Sequence, residues 1–143
     1  MATIKRKAQA QWTGSGKEGH GALTTQSGTL KDTQYSFNTR FENGVGTNPE
    51  ELIAAAHAGC FTMALAFRLS AAGHPPQSLD TGAEVSLTQE GGGWKIAAVA
   101  LSLKGSVAGL TREQFIEHAE EAKKTCPVSR VLNADITLSI DFV

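Results

Sequence analysis

Cys60 and Cys126 are the two cysteines of this chain and the side chains with the greatest chemical reach. A cysteine attacks as its thiolate, which forms where a cation, a hydrogen-bond donor or a helix N-terminus offsets burial. Cys60 lies in a long Ala-rich segment, where a cysteine otherwise packs as a small hydrophobe. Cys126 directly precedes Pro127, the position of a helix N-cap, where a thiolate is favoured; the plainer alternative is a residue in a turn. One reaction open to two such thiols is reduction of a peroxide. It needs a thiolate, a fixed cation beside it, and a second thiol that condenses with the sulfenic acid before further oxidation. Arg40 and Arg68 are the candidate cations. Arg68 follows Cys60 by eight positions, about 12 Å of helical rise, too far for contact within one chain. Arg40 has no such exclusion, and strand-end solvation is its alternative reading. His57 precedes Cys60 by one helical turn. It is either a partner that activates the thiol, part of a metal set with His118 and Cys126, or a buried histidine satisfied by hydrogen bonds.

These residues must be positioned by mixed elements. Gly14, Gly16, Gly19 and Gly21 interrupt the chain after Trp12, and Gln26-Ser27-Gly28 reads as a turn, so the first third predicts short strands. Aromatics at alternate positions predict a further strand over Tyr35–Phe41, with Arg40 near its end. A long helix follows. Asn48 is its cap, Pro49 its first residue, Glu51 a capping-box carboxylate, and Gly73 with Pro75 and Pro76 its stop. It is apolar nearly all round, which predicts burial on most sides, and a small subunit rarely surrounds such a helix alone. Dimerisation would complete its cover.

A hairpin is expected from Ala83–Gln89 and Trp94–Leu103 around Gly91-Gly92-Gly93. A second helix opens at Thr111, with Gln114 completing a capping box, Leu110 and Phe115 as a staple, and Phe115, Ile116, Ala119 and Ala122 as its apolar stripe. A short helix follows from Pro127. Ile136, Leu138, Ile140 and Phe142 alternate with polar residues in a closing strand. The sum is an α+β fold in one domain over residues 1–143.

Composition narrows the classes. A net charge of −1 lacks the electrostatic footprint of a nucleic-acid binder. The apolar stretch Leu52–Ala72 is interrupted by His57 and Arg68, which fits a core helix better than a membrane span. Lys5, Arg6 and Lys7 precede no apolar run, so no secretory signal is expected. Two cysteines without a signal point to a reducing, cytoplasmic setting.

The segments Asn38-Thr39-Arg40-Phe41, Gly46-Thr47-Asn48-Pro49-Glu50-Glu51-Leu52 and Ala56-His57-Ala58-Gly59-Cys60-Phe61, with Cys126-Pro127-Val128-Ser129, resemble the OsmC/Ohr family of organic hydroperoxide peroxidases. The Asn-Thr-Arg-Phe placement of the arginine looks like the OsmC branch. The resemblance spans nearly the whole chain. It implies a peroxidatic Cys60, a resolving Cys126 and an Arg40–Glu50 pair at the site. It further implies an obligate, intertwined homodimer with antiparallel sheets around a long central helix and active sites at the subunit interface. No cofactor or metal is implied. The implied partners are an organic hydroperoxide and a dithiol reductant of lipoyl, thioredoxin-like or small-molecule type. Glu50 precedes Cys60 by ten positions, about 15 Å along a helix, so joint service at one site would require Glu50 from the partner chain. A different class stays open: a non-catalytic dimeric protein whose thiols hold a metal or ligand.

Overall fold

The glycine-rich first third folds as three short strands, β1 (Ala8–Thr13), β2 (His20–Thr25) and β3 (Thr33–Tyr35), in a computed structural model that describes residues 2–143. They form an antiparallel sheet in chain order, with β1 and β2 in register from Ala8 opposite Thr25 to Thr13 opposite His20. Gly14 turns the first reversal at φ 97°, a conformation that costs glycine little. The Trp12 indole N–H closes this turn on the carbonyls of Gly14 and Ser15, at 3.1 and 3.2 Å.

The strand expected over Tyr35–Phe41 ends at Tyr35. Ser36 instead caps a short helix, α1 (Phe37–Phe41). The Ser36 hydroxyl accepts from the Thr39 N–H at 3.3 Å, and the Thr39 hydroxyl accepts from the Ser36 N–H at 2.8 Å. This reciprocal cap outweighs the alternation of aromatics, and Phe37 and Phe41, four apart, meet on one helix face with centroids 5.0 Å apart. Arg40 therefore stands on a helix, not at a strand end.

The long helix, α2 (Pro49–Ala71), has the expected start and stop. The Asn48 side-chain oxygen accepts from the Glu51 N–H at 2.8 Å. The Glu51 carboxylate takes the Thr47 hydroxyl at 2.8 Å in the place of a capping-box contact to Asn48. Gly73, at φ 86°, ends the helix, and the His74 N–H returns to the Leu69 carbonyl at 2.8 Å. The chain divides between Leu52 and Ile53 into two compact units, so α2 begins in the first and continues through the second.

In the second unit, β4 (Ser78–Glu90) and β5 (Gly93–Ser106) form a longer hairpin than the one expected. Gly91 and Gly92, at φ 59° and 83°, supply its two-residue turn. Helix α3 (Arg112–Thr125) has the full Thr111–Gln114 capping box, α4 (Pro127–Val131) follows, and β6 (Asp135–Phe142) closes the chain. Here β6 runs parallel to β5, a departure from the antiparallel sheets implied above. The two helices between these strands provide the crossover that a parallel pairing needs. Phe61, Leu65 and Leu69 of α2, Val99, Leu101 and Leu103 of β5, and Phe115, Ala119 and Ala122 of α3 form the buried core with Cys126. One face of α2 is thus buried in this chain, while Met63 and Phe67, one turn apart, stay 63% and 70% exposed.

Candidate active site

Arg40 and Glu50 form one cluster and His57, Cys60 and Cys126 another, one in each unit. In the first, Arg40 and Glu50 form a bidentate pair: Nε donates to Oε1 at 2.9 Å and a terminal guanidinium nitrogen to Oε2 at 3.1 Å. Local structure brings them together. The Asn48 side chain that caps α2 also donates to the Thr39 carbonyl of α1 at 2.9 Å, which ties the two helix ends across the intervening loop. Glu50 is buried and Arg40 is exposed, so the fork fixes a guanidinium whose remaining donors are free of the carboxylate. The Arg40 guanidinium also lies 5.3 Å from the Phe41 ring centroid. A cavity of about 130 Å³ opens beside it, walled by Trp12, Tyr35, Phe37, Phe41 and Pro49. This cluster offers a held cation next to apolar walls.

The second cluster holds the sulfurs. Cys60 is half-buried on α2, and Cys126 is fully buried where α3 ends and α4 begins. Both are free thiols in hydrogen-bond contact with one another, although 66 residues separate them in sequence. Burial pushes the Cys60 thiol above its ordinary range, reinforced by the hydrogen bond and like charge of Cys126; the Val128 backbone N–H, donated to the Cys60 sulfur, pulls the other way. Cys126 does occupy the N-cap position of α4, but its side chain makes no capping bond. The first turn of α4 serves the Cys60 sulfur, through Val128.

His57 is fully buried, and its Nε2 lies 2.7 Å from the Ser129 hydroxyl, while Nδ1 has no hydrogen-bond partner among the described residues. Burial lowers its pKa, which favours the neutral ring. The metal set of His57, His118 and Cys126 does not assemble: among the described residues no three His, Cys, Asp or Glu side chains converge at ligand distance. The Nε of Arg68 and the Nδ1 of His118 are likewise buried without partners among the described residues. Sequence reasoning assigned no role to Val128 or Ser129. One signal was available for Ser129. His57 precedes Cys60 by three positions and Ser129 follows Cys126 by three, so two helical turns carry a cysteine and a polar side chain at matched spacing.

Residues 41–141 match the family described as OsmC-like protein. The chain belongs to the OsmC family. Peroxiredoxin OsmC of Escherichia coli K12 is 50% identical over 136 residues, covering 95% of both chains. The organic hydroperoxide resistance protein OhrB of Bacillus subtilis is 30% identical over 147 residues, covering 99% of this chain and 98% of the relative. The crystal structure of that OhrB superimposes with a TM-score of 0.73 at 29% identity, covering 98% of this chain and all of the other. An OsmC-like protein of unknown function from Vibrio cholerae reaches a TM-score of 0.77 at only 14% identity, a likeness of fold alone. The higher identity to the OsmC relative agrees with the placement of Arg40 in an Asn-Thr-Arg-Phe segment.

Proposed function

We propose that this chain is a cysteine-based peroxidase that reduces organic hydroperoxides to alcohols. The observation that carries the reading is the contact of the Cys60 and Cys126 sulfurs, with the Val128 N–H donated to Cys60. Membership of a family with members named peroxiredoxin and organic hydroperoxide resistance protein supports it. The Cys60 thiolate attacks the terminal peroxide oxygen: an S–O bond forms, the O–O bond breaks, and the alkoxide leaves as alcohol after taking a proton. Cys126 then attacks the sulfenic sulfur, the S–S bond forms, and the hydroxyl leaves as water with the Cys126 proton. A dithiol of lipoyl, thioredoxin-like or small-molecule type returns both sulfurs to thiols. The reaction requires no cofactor, and a reducing cytoplasm suits its free thiols.

Cys60 also needs a cation, since burial raises its pKa. We assign that role to Arg40, held by Glu50. Glu50 and Cys60 are ten positions apart on α2, about 15 Å by helical rise, so a side chain on the same helix does not span the gap. In this reading the pair comes from a partner chain in a homodimer. The exposed Met63 and Phe67 on α2 support such a dimer, since it would remove them from water. The aromatic walls beside Arg40 favour an alkyl or aryl hydroperoxide, with about 0.8 kcal/mol gained per methylene buried. The test is steady-state turnover with a dithiol, comparing cumene and tert-butyl hydroperoxides with hydrogen peroxide. Cys60→Ser is expected to be inactive, and the organic substrates to show the higher kcat/KM. Turnover by Cys60→Ser, or equal kcat/KM for all three peroxides, would overturn the assignment.

A further inference from the structure

Helix α4 and its N-cap residue Cys126 carry the two groups that act on the Cys60 sulfur, yet the helix is poorly anchored. It has five residues and none is fully buried, the partly buried Val128 being the one that packs against the core. Its firmest polar tie is the 2.7 Å contact between Ser129 and His57. His57 is fully buried, and among the described residues that contact is the only hydrogen bond its ring makes, with no partner there for Nδ1. An unpaired buried nitrogen is costly, and an apolar residue would fill this position on α2 more cheaply. The histidine's one evident benefit is therefore positional. The tie joins the same two segments as the sulfurs do, one helical turn from each cysteine.

We propose that His57 and Ser129 are positioning residues for the second chemical step, holding the Cys126-bearing turn so that the Cys60 sulfenic acid meets Cys126 before it meets a second peroxide. The inference rests on the peroxidase reading and extends it to two residues outside the reacting set. The sulfenic acid has two fates. Condensation with the Cys126 thiol forms the disulfide and releases water. A second hydroperoxide instead adds its oxygen, giving sulfinic acid and alcohol, from which a dithiol offers no return. To form the disulfide, the sulfurs must close from hydrogen-bond contact to about 2.05 Å. A tie one turn from each sulfur limits α4 to displacements that permit this closure, and without it the turn drifts and condensation slows.

The test measures, by mass spectrometry after a pulse of cumene hydroperoxide, the ratio of Cys60 sulfinic acid to Cys60–Cys126 disulfide. Ser129→Ala removes the hydroxyl. His57→Gln keeps an N–H near the Nε2 position, whereas His57→Asn mimics Nδ1 and leaves Ser129 unpaired. Loss of one hydrogen bond is expected to raise the ratio about five- to tenfold in Ser129→Ala and His57→Asn, with His57→Gln within about twofold of wild type. An unchanged ratio in folded Ser129→Ala overturns the proposal, as does equal behaviour of the Gln and Asn variants. If both His57 variants fail to fold, Ser129→Ala decides alone. If wild-type protein consumes no peroxide, the peroxidase reading is what has failed. The tie is then judged by the rate at which diamide forms the Cys60–Cys126 disulfide, expected to fall by the same factor in Ser129→Ala and overturned by an unchanged rate.

Discussion

Two sulfurs in contact are not equivalent. Cys60 is the half-buried one and accepts the Val128 N–H, whereas Cys126 is fully buried with its backbone committed to the end of α3 and the start of α4. In the proposed mechanism, access and hydrogen bonding favour Cys60 as the attacker, and contact favours Cys126 as the group that removes the sulfenic acid. Cys126→Ser is therefore expected to consume about one equivalent of hydroperoxide and then stall, with sulfenic or sulfinic acid at Cys60 by mass spectrometry. Undiminished dithiol-driven turnover of that variant would remove the resolving role. His57 carries a second consequence. Its folded-state pKa is lowered from 6.5 by burial, so between that value and the lowered one the unfolded chain binds more protons. Its contribution to stability is full above about pH 6.5 and is lost as pH falls through the lowered value. Urea midpoints should fall between pH 7 and pH 5 for the wild type, and less steeply for His57→Gln. Parallel profiles would mean that other groups account for the decline.

Element by element, capping chemistry was the most legible signal. Asn48-Pro49 and Thr111 with Gln114 opened helices where their side chains said they would, since each satisfies backbone N–H groups left over in a first turn. The same logic explains the error at Tyr35–Phe41. Ser36 and Thr39 also form a capping box, but alternating aromatics suggested a strand, and seven residues are too few for a periodicity to be decisive. Packing between elements left fainter marks. Gly105 on β5 is an instance: a methyl group there would strike the Phe115 ring and come within 3.1 Å of Leu79. That ring is already packed on Phe142, 4.8 Å away between centroids. Gly105→Ala is expected to destabilise the fold by roughly 1–3 kcal/mol, read as a lower urea midpoint at unchanged slope. An unchanged midpoint would show that α3 yields without cost.

At the scale of the whole molecule, the proposed site takes Cys60 from one chain and the Arg40–Glu50 pair from another. The clearest check mixes two inactive parents, Cys60→Ser and the double variant Arg40→Ala with Glu50→Ala. Only a mixed dimer joins an intact Cys60 to an intact pair. Random equal mixing by co-refolding should recover about a quarter of wild-type turnover, because half of the two-fold dimers are mixed and each has one good site. Activity no greater than the sum of the parents, in a sample shown to contain mixed dimers, would mean that each chain builds its own site.

The sequence by itself determined the local facts. Caps, glycine turns and apolar alternation act over a few residues, so most element boundaries in this chain were open to reading. It also supplied the candidate site residues, with Cys60, Cys126 and Arg40 picked out by residue type and Glu50 only through the family resemblance. Tertiary structure decided what depends on elements far apart in the chain. The contact of Cys60 with Cys126, the delivery of the α4 N–H to Cys60 and not to Cys126, and the seating of His57 on Ser129 each join segments 66 to 72 residues apart. The parallel pairing of β6 with β5 is of the same kind, because the crossover through α3 and α4 sets its direction while the alternating residues of β6 suit either one. No local energy encodes such meetings. They arise when burying α2, β5 and α3 against one another fixes where each remaining side chain must lie.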